Sequence, residues 1–317
     1  MKRLNISYDS SLLESISANF DLRAPNKEAL RKLIFTLEGD YDPEVVQTLN
    51  LATGVGKTYL MAAFIEYLRH QGAYNVLIVT PGKTVQRKTI QNFRAGSDRY
   101  IRGAEGVSIV VTPQDYSGWN TDAVPFDQFS NYIFLFNIQQ LIAPRDVDGA
   151  TADGKVASQQ RKIRRFDENS GVLFDYLKGL DDLVIIADES HLYGNSAKAF
   201  NAALKELSPA VTVGLTASPS KSDNIIYSYP LYRAIEDKFV KRPVIAYRKE
   251  GYEDTRESEE QQLHDALKVR EVKQRYYDLY AQQQNCKPLK AVAFIVCSDV
   301  EHASQVATLL RSPAYLD

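Results

Sequence analysis

The octapeptide Leu51-Ala-Thr-Gly-Val-Gly-Lys-Thr58 decides how this chain is read. The run before it, Val45–Leu51, has strand character. The stretch after it, Thr58–Gln71, carries Leu60, Phe64, Tyr67 and Leu68 at helical spacing. A glycine-rich turn between a strand and a helix is the context that a phosphate-binding loop requires. Gly54 and Gly56 let backbone N–H groups turn inward, and the helix start adds the positive end of its dipole. Lys57 is placed to reach β- and γ-phosphates and the Thr58 hydroxyl to ligate Mg²⁺. Thr53, Gly54, Val55, Gly56, Lys57 and Thr58 are therefore the candidate cradle for ATP. The strict Gly-x-x-x-x-Gly-Lys-Ser/Thr pattern is broken at its first position, where Leu51 stands.

Outward from the loop, short β-branched runs alternate with helix-patterned stretches. The predicted strands are Val45–Leu51, Asn75–Thr80, Val107–Thr112, Asn131–Asn137, Leu183–Ala187 and Ala210–Leu215. Helices are expected over Lys27–Leu37, Thr58–Gln71 and Lys198–Leu207. Several strands are apolar without alternation, as in a sheet covered on both faces. The expected fold is α/β, a doubly wound parallel sheet. A second motif, Leu183-Val-Ile-Ile-Ala-Asp-Glu-Ser-His191, ends a hydrophobic strand in two adjacent acids. The carboxyl end of a strand is where an open α/β sheet binds its ligand. Asp188 is the candidate Mg²⁺ holder, and Glu189 the group that orients and polarises an attacking water.

Composition limits the alternatives. The 317 residues carry 38 basic and 40 acidic side chains, so no overall positive charge advertises nucleic acid, and such a partner must be met by local patches. Two cysteines, Cys286 and Cys297, are too few for a disulfide framework and lack metal-ligand spacing; they read as ordinary packed thiols in a reducing compartment. The N-terminus has no apolar core of a signal peptide, and no run is long enough to span a bilayer. A cytoplasmic protein without membrane contact is expected.

Three motifs in order then carry a resemblance. Ala52–Thr58, Asp188-Glu-Ser-His191 and Gly214-Leu-Thr-Ala-Ser-Pro219 resemble motifs I, II and III of superfamily-2 DExH-box helicases and translocases. Within that superfamily the chain is most similar to the restriction subunit of type III restriction enzymes. Phe136-Asn-Ile-Gln139 and the Val79–Lys88 stretch carry this part of the likeness, which covers the chain from about Leu22 onward. The resemblance implies a RecA-like fold and an ATP-hydrolysing motor on nucleic acid, with DNA the expected kind. It also implies a γ-phosphate contact from His191, and nucleic-acid contact or coupling through Thr80, Pro81, Thr216 and Ser218. Asn26 stands where the family usually has a glutamine that reads adenine. A modification methyltransferase as partner and a place in defence against foreign DNA follow by analogy alone.

The implied organisation is an N-terminal extension over 1–25, a RecA-like ATP-binding domain over 26–240, a linker with a helix over 241–288, and the start of a second RecA-like domain over 289–317. A strand at Ala291–Cys297 and a helix at Val300–Leu310 open that second domain. A lone strand and helix cannot close a core, so either the chain is a fragment or this unit packs onto the first domain. No Gly-Arg dipeptide occurs, so motif VI with its arginine finger is absent and slow hydrolysis in isolation is expected. An alternative stays open: a nucleotide-controlled P-loop module that docks a partner protein without motor activity. The basic cluster Arg161–Arg165 is read first as a solvated face. Tyr276, Tyr277 and Tyr280 are expected to pack in a core or between domains.

Overall fold

The computed structural model describes residues 2–72, 75–104, 109–112, 132–141, 168–193, 198–312 and 315; the basic cluster Arg161–Arg165 lies outside them. The chain falls into two compact units, Met1–Arg242 and Pro243–Asp317.

In the first unit the strands are β1 (Gln47–Leu51), β2 (Asn75–Thr80), β3 (Ile109–Val111), β4 (Tyr132–Asn137), β5 (Val184–Asp188), β6 (Val211–Thr216) and β7 (Ile225–Tyr229). All the pairings are parallel, in the order β3-β4-β2-β5-β6-β1-β7. The six predicted strands are present, each within two residues of its expected limits. β7 was not anticipated, because it lies at the sheet edge beside β1 with only Tyr229 buried, so its sequence lacks the continuous apolar run of a central strand.

Parallel strands need long crossovers, and helices supply them while burying both faces. On one face, alternate residues such as Leu49, Ile78, Ile186 and Val213 pack against α1 (Ser10–Asn19), α2 (Ala24–Glu38) and α3 (Lys57–His70). On the other, Leu77, Phe134, Phe136, Ile185 and Ala187 pack against α5 (Glu168–Lys178) and α6 (Lys198–Glu206). The remaining crossover helix, α4 (Lys83–Phe93), follows β2, and α7 (Leu231–Glu236) follows β7.

Residues 1–25, expected as an extension, are built into this unit. Leu13, Ile16 and Phe20 join the same core, and Tyr67 of α3 fastens the chain ahead of α1. The Tyr67 hydroxyl accepts from the Asp9 N–H at 2.8 Å and donates to the Ser7 carbonyl at 2.7 Å. Tyr67→Phe strands both backbone groups. It should cost about 1–2 kcal/mol, read as a lower urea midpoint at unchanged slope.

The second unit is organised by α8 (Arg256–Gln284), whose N-cap Thr255 accepts from the Ser258 N–H. Arg248 grips Asp265 with two hydrogen bonds of 2.6 and 2.9 Å, and Tyr252 adds a third. These partners hold the Asp265 carboxyl down to about 2. Segment 291–297, expected as a strand, is extended but unpaired, and α9 (Val300–Leu310) follows it. Its odd-numbered residues turn toward the unit while Val292, Phe294 and Val296 are exposed. A strand is defined by a partner, and none of the described residues provides one. Tyr276 and Tyr280, expected to pack, are exposed within this unit, as is Cys286.

Candidate nucleotide site and nucleic-acid rim

The phosphate-binding loop forms where expected, between β1 and α3. Gly54 and Gly56 have φ of +87° and +102°, a region that costs other residues strain. Gly56 is the N-cap of α3 without a side-chain cap, so the first N–H groups of the helix are left for a ligand. Val55 is buried and anchors the loop, while Thr53 and Gly54 are exposed.

Three strands converge on this loop. Asp188 ends β5, two strands away from β1, and Glu189 follows with φ +53°. A left-handed conformation at a residue with a side chain costs of order 1–3 kcal/mol. Here it accompanies a Glu189 carboxylate that meets the Lys57 ammonium at 2.8 Å, across 132 residues of sequence. Burial pushes the Asp188 carboxyl up, with Lys57 pulling it down and Glu189 pushing it up again. His191 Nδ1 lies 2.9 Å from Thr216 Oγ1 and 3.6 Å from the Glu189 carboxylate. Thr216 is fully buried, and its Oγ1 accepts from the Ser218 N–H at 3.0 Å. Lys57, Glu189, His191 and Thr216 thus form one connected set, with Asp188 beside it.

Close packing holds motifs II and III in register. A Cβ on Gly214 would meet Ser190 Oγ at 2.8 Å, Ser190 Cβ at 3.0 Å and Val46 Cγ1 at 3.0 Å. Gly214→Ala should therefore destabilise the fold by about 1–3 kcal/mol. A denaturation midpoint equal to that of the parent chain would show that Ser190 and Val46 yield freely.

Two sequence-derived candidates are buried. Asn26 is buried, and its Nδ2 donates to the carbonyls of Val55 at 2.9 Å and Gly56 at 3.3 Å. Its Oδ1 is closed to solvent and has no partner among the described residues, so Asn26 bears on the nucleotide site through the loop backbone. Thr80 is fully buried and donates its hydroxyl to the Phe136 carbonyl at 3.2 Å; beside it Pro81 is half-buried. Arg23 was not singled out from sequence. It donates to the Gly54 carbonyl at 2.8 Å, with its guanidinium 5.0 Å from the Phe239 ring centre. The available signal was its place in the segment Leu22–Asn26, which is similar to the family's pattern ahead of the phosphate-binding loop.

An all-parallel α/β sheet with a glycine loop at β1 and a paired acid motif at β5 defines a P-loop NTPase fold of the superfamily-2 motor type, the RecA-like architecture expected from the sequence. The family model described as type III restriction enzyme, res subunit, matches residues 19–221. The chain belongs to that family. Among curated proteins, none matches it.

Similar solved structures include a nuclease-deletion mutant of the type ISP restriction-modification enzyme LlaGI in complex with a DNA substrate mimic. It aligns at 12% identity and TM-score 0.42, over 69% of this chain and 20% of that one. The UvsW helicase from bacteriophage T4 aligns at 12% identity and TM-score 0.35, over 65% and 55%. The SWI2/SNF2 ATPase core of Sulfolobus solfataricus, in complex with dsDNA, aligns at 12% and 0.32, over 69% and 34%. The chain thus spans about a fifth to a half of these proteins.

Proposed function

We propose that this chain is the ATP-binding part of a nucleic-acid translocase or helicase motor, with DNA as its track. The observation that carries the reading is the 2.8 Å pair between Lys57 and Glu189. It places the loop lysine on the group proposed to orient water, and the two cannot serve a nucleotide while neutralising each other. A triphosphate entering the loop offers Lys57 a denser negative charge. Lys57 then leaves Glu189, whose carboxylate is freed to accept a proton from the attacking water. In this reading phosphate binding arms hydrolysis.

Thr58 lies in the first turn of α3 and Asp188 ends β5, and a buried carboxylate whose proton affinity is raised is a fitting partner for a cation. These two would hold Mg²⁺, which when bound neutralises charge on the phosphates. His191 and Thr216 join the acid motif to the end of β6, so a change at Glu189 reaches Ser218 at the exposed end of motif III. No arginine finger is identifiable here, so turnover by the 317-residue chain is slow.

A place in a restriction or other defence system, a methyltransferase partner and a cytoplasmic setting complete the proposal; family membership supports them, and no helix among the described residues is long and apolar enough to cross a membrane. The test is phosphate release from ATP with and without double-stranded DNA. Stimulation by DNA is expected. Nucleotide binding with turnover indifferent to DNA would favour a nucleotide-controlled docking module.

A further inference from the structure

The sheet face that carries Phe136 and Ile185 changes character half-way across. Followed through the pairing register, one row of that face runs Phe136, Val79, Ala187, Gly214, Thr48, and the next runs Phe134, Leu77, Ile185, Thr212. Large apolar side chains fill the half over β4, β2 and β5, where α5 and α6 cover them. Over β6 and β1 the rows shrink to glycine and threonine, and a hollow of about 490 Å³ remains beside α6. That volume lies within the range of small-molecule sites.

The floor of the hollow is polar and unsatisfied. Thr48 and Thr212 line it and are 2% and 6% exposed. Neither hydroxyl has a hydrogen-bond partner among the described residues, and the nucleotide site uses neither. Leaving such groups unpaired is costly, so the floor is built for a molecule that supplies donors or acceptors.

The walls indicate its chemistry. Two described lining residues are cations, Lys2 and Lys205, and two are anions, Glu44 and Asp223, so their charges cancel. Lys2 is already engaged, by the Leu180 carbonyl at 2.6 Å and by Asp181 at 3.8 Å. Asp223 accepts from the Ser220 N–H at 2.8 Å. Val46, Leu204 and Pro209 add apolar surface, and Glu44, Lys205 and Ser222 are exposed at the rim. A charged group pressed onto the floor would meet two neutral hydroxyls and lose its hydration. An amide or a hydroxyl finds both a donor and an acceptor in each threonine.

The hollow also reaches motif II. Ser190 lines it, and Ser190 Oγ packs so closely on Gly214 that an added Cβ there would meet it at 2.8 Å. Ser190 stands between Glu189 and His191. An occupant resting on Ser190 therefore bears on the turn that carries the carboxylate proposed to orient water.

We infer that this hollow binds an uncharged small organic molecule, held at Thr48 and Thr212 through an amide or hydroxyl group, and that its occupant changes ATP turnover through Ser190. The binding stands on the hollow alone; the effect on turnover rests on the reading of the nucleotide site above.

Three probes that share one ring system separate the chemistry: quinoline-3-carboxamide, quinoline-3-carboxylate and 3-(aminomethyl)quinoline. Their affinities for the full chain are read by saturation-transfer NMR titration at neutral pH. The carboxamide should bind most tightly. Thr48→Val combined with Thr212→Val keeps the shape of both side chains and removes both hydroxyls. It should weaken the carboxamide by about 10–10²-fold, the value of two neutral hydrogen bonds. Its urea midpoint should equal or exceed the parent's, because no protein partner is lost. With the carboxamide saturating, ATP turnover by the parent should change severalfold, and that of the double variant should not.

Equal binding of the three probes would overturn the inference, as would carboxamide affinity indifferent to the loss of both hydroxyls. A lower urea midpoint in the double variant would show that the hydroxyls serve the fold, which also overturns it. Turnover unchanged with the carboxamide bound would remove the effector role. Absence of turnover in the unaltered chain would overturn the motor reading instead, while amide binding and its loss in the double variant would still establish the site.

Discussion

Lys57→Ala should weaken ATP binding by about 10–10²-fold, the loss expected when one hydrogen bond to a charged group is removed. The physical argument has two parts. Lys57 belongs to the phosphate-binding loop, and its ammonium lies 2.8 Å from the Glu189 carboxylate. Removing it deletes the phosphate partner and leaves Asp188 and Glu189 adjacent without the Lys57 charge. The Asp188 carboxyl, already pushed up by burial, then rises further, because Lys57 is the nearby charge that lowers it.

The sign for stability follows. An acid whose proton affinity is higher folded than unfolded favours the fold at low pH. That contribution fades as pH rises from the ordinary aspartate value through the raised one. Lys57→Ala should therefore steepen the fall in stability across and above the carboxylate range. Titration with a fluorescent ATP analogue, beside denaturation at two pH values, checks both parts. Nucleotide affinity within twofold of the parent's would remove Lys57 from the phosphate site.

Glu189→Gln should behave in the opposite way on binding. The amide keeps the shape of the side chain but releases Lys57 from its ion pair, so ATP binds at least as tightly as in the parent. Turnover should fall by about 10²–10⁴-fold, the usual contribution of a positioned general base. Single-turnover phosphate release with bound ATP measured separately gives the two numbers. Parent-like release would show that another group orients the water. Loss of binding together with release would show that Glu189 is needed to hold the loop. Contrasting the two substitutions is informative because one ion pair predicts both, with opposite signs on affinity.

Much of the fold was legible because parallel sheets buried on both faces write themselves as short apolar runs. The stretches Asn75–Thr80 and Leu183–Ala187 needed no partner information to be seen as strands. β7 escaped because an edge strand is only half covered, and Ile225–Tyr229 resembles many exposed loops. The segment 291–297 shows the converse error. Its composition is that of a buried strand, but pairing is a property of two segments, and none of the described residues pairs with it.

At the candidate site the division is similar. Gly54, Gly56, Lys57, Thr58, Asp188 and Glu189 were legible because their chemistry depends on residue type and on immediate neighbours along the chain. Whether a polar side chain faces a ligand or another part of the protein was not legible. Thr80 and Asn26 matched family positions, yet each donates to a backbone carbonyl and is closed to solvent. The contact of Arg23 with the loop was found only through the atoms it touches.

The sequence by itself determined the fold class, the phosphate loop, the acid pair and the family. These rest on local periodicity and on contiguous motifs, which a chain carries before it folds. Only the tertiary structure decided that Lys57 is held by Glu189 and that Thr216 meets His191. These contacts join side chains 132 and 25 residues apart, and hydrogen bonds of about 3 Å follow from how strands and helices pack, which no spacing along the chain encodes.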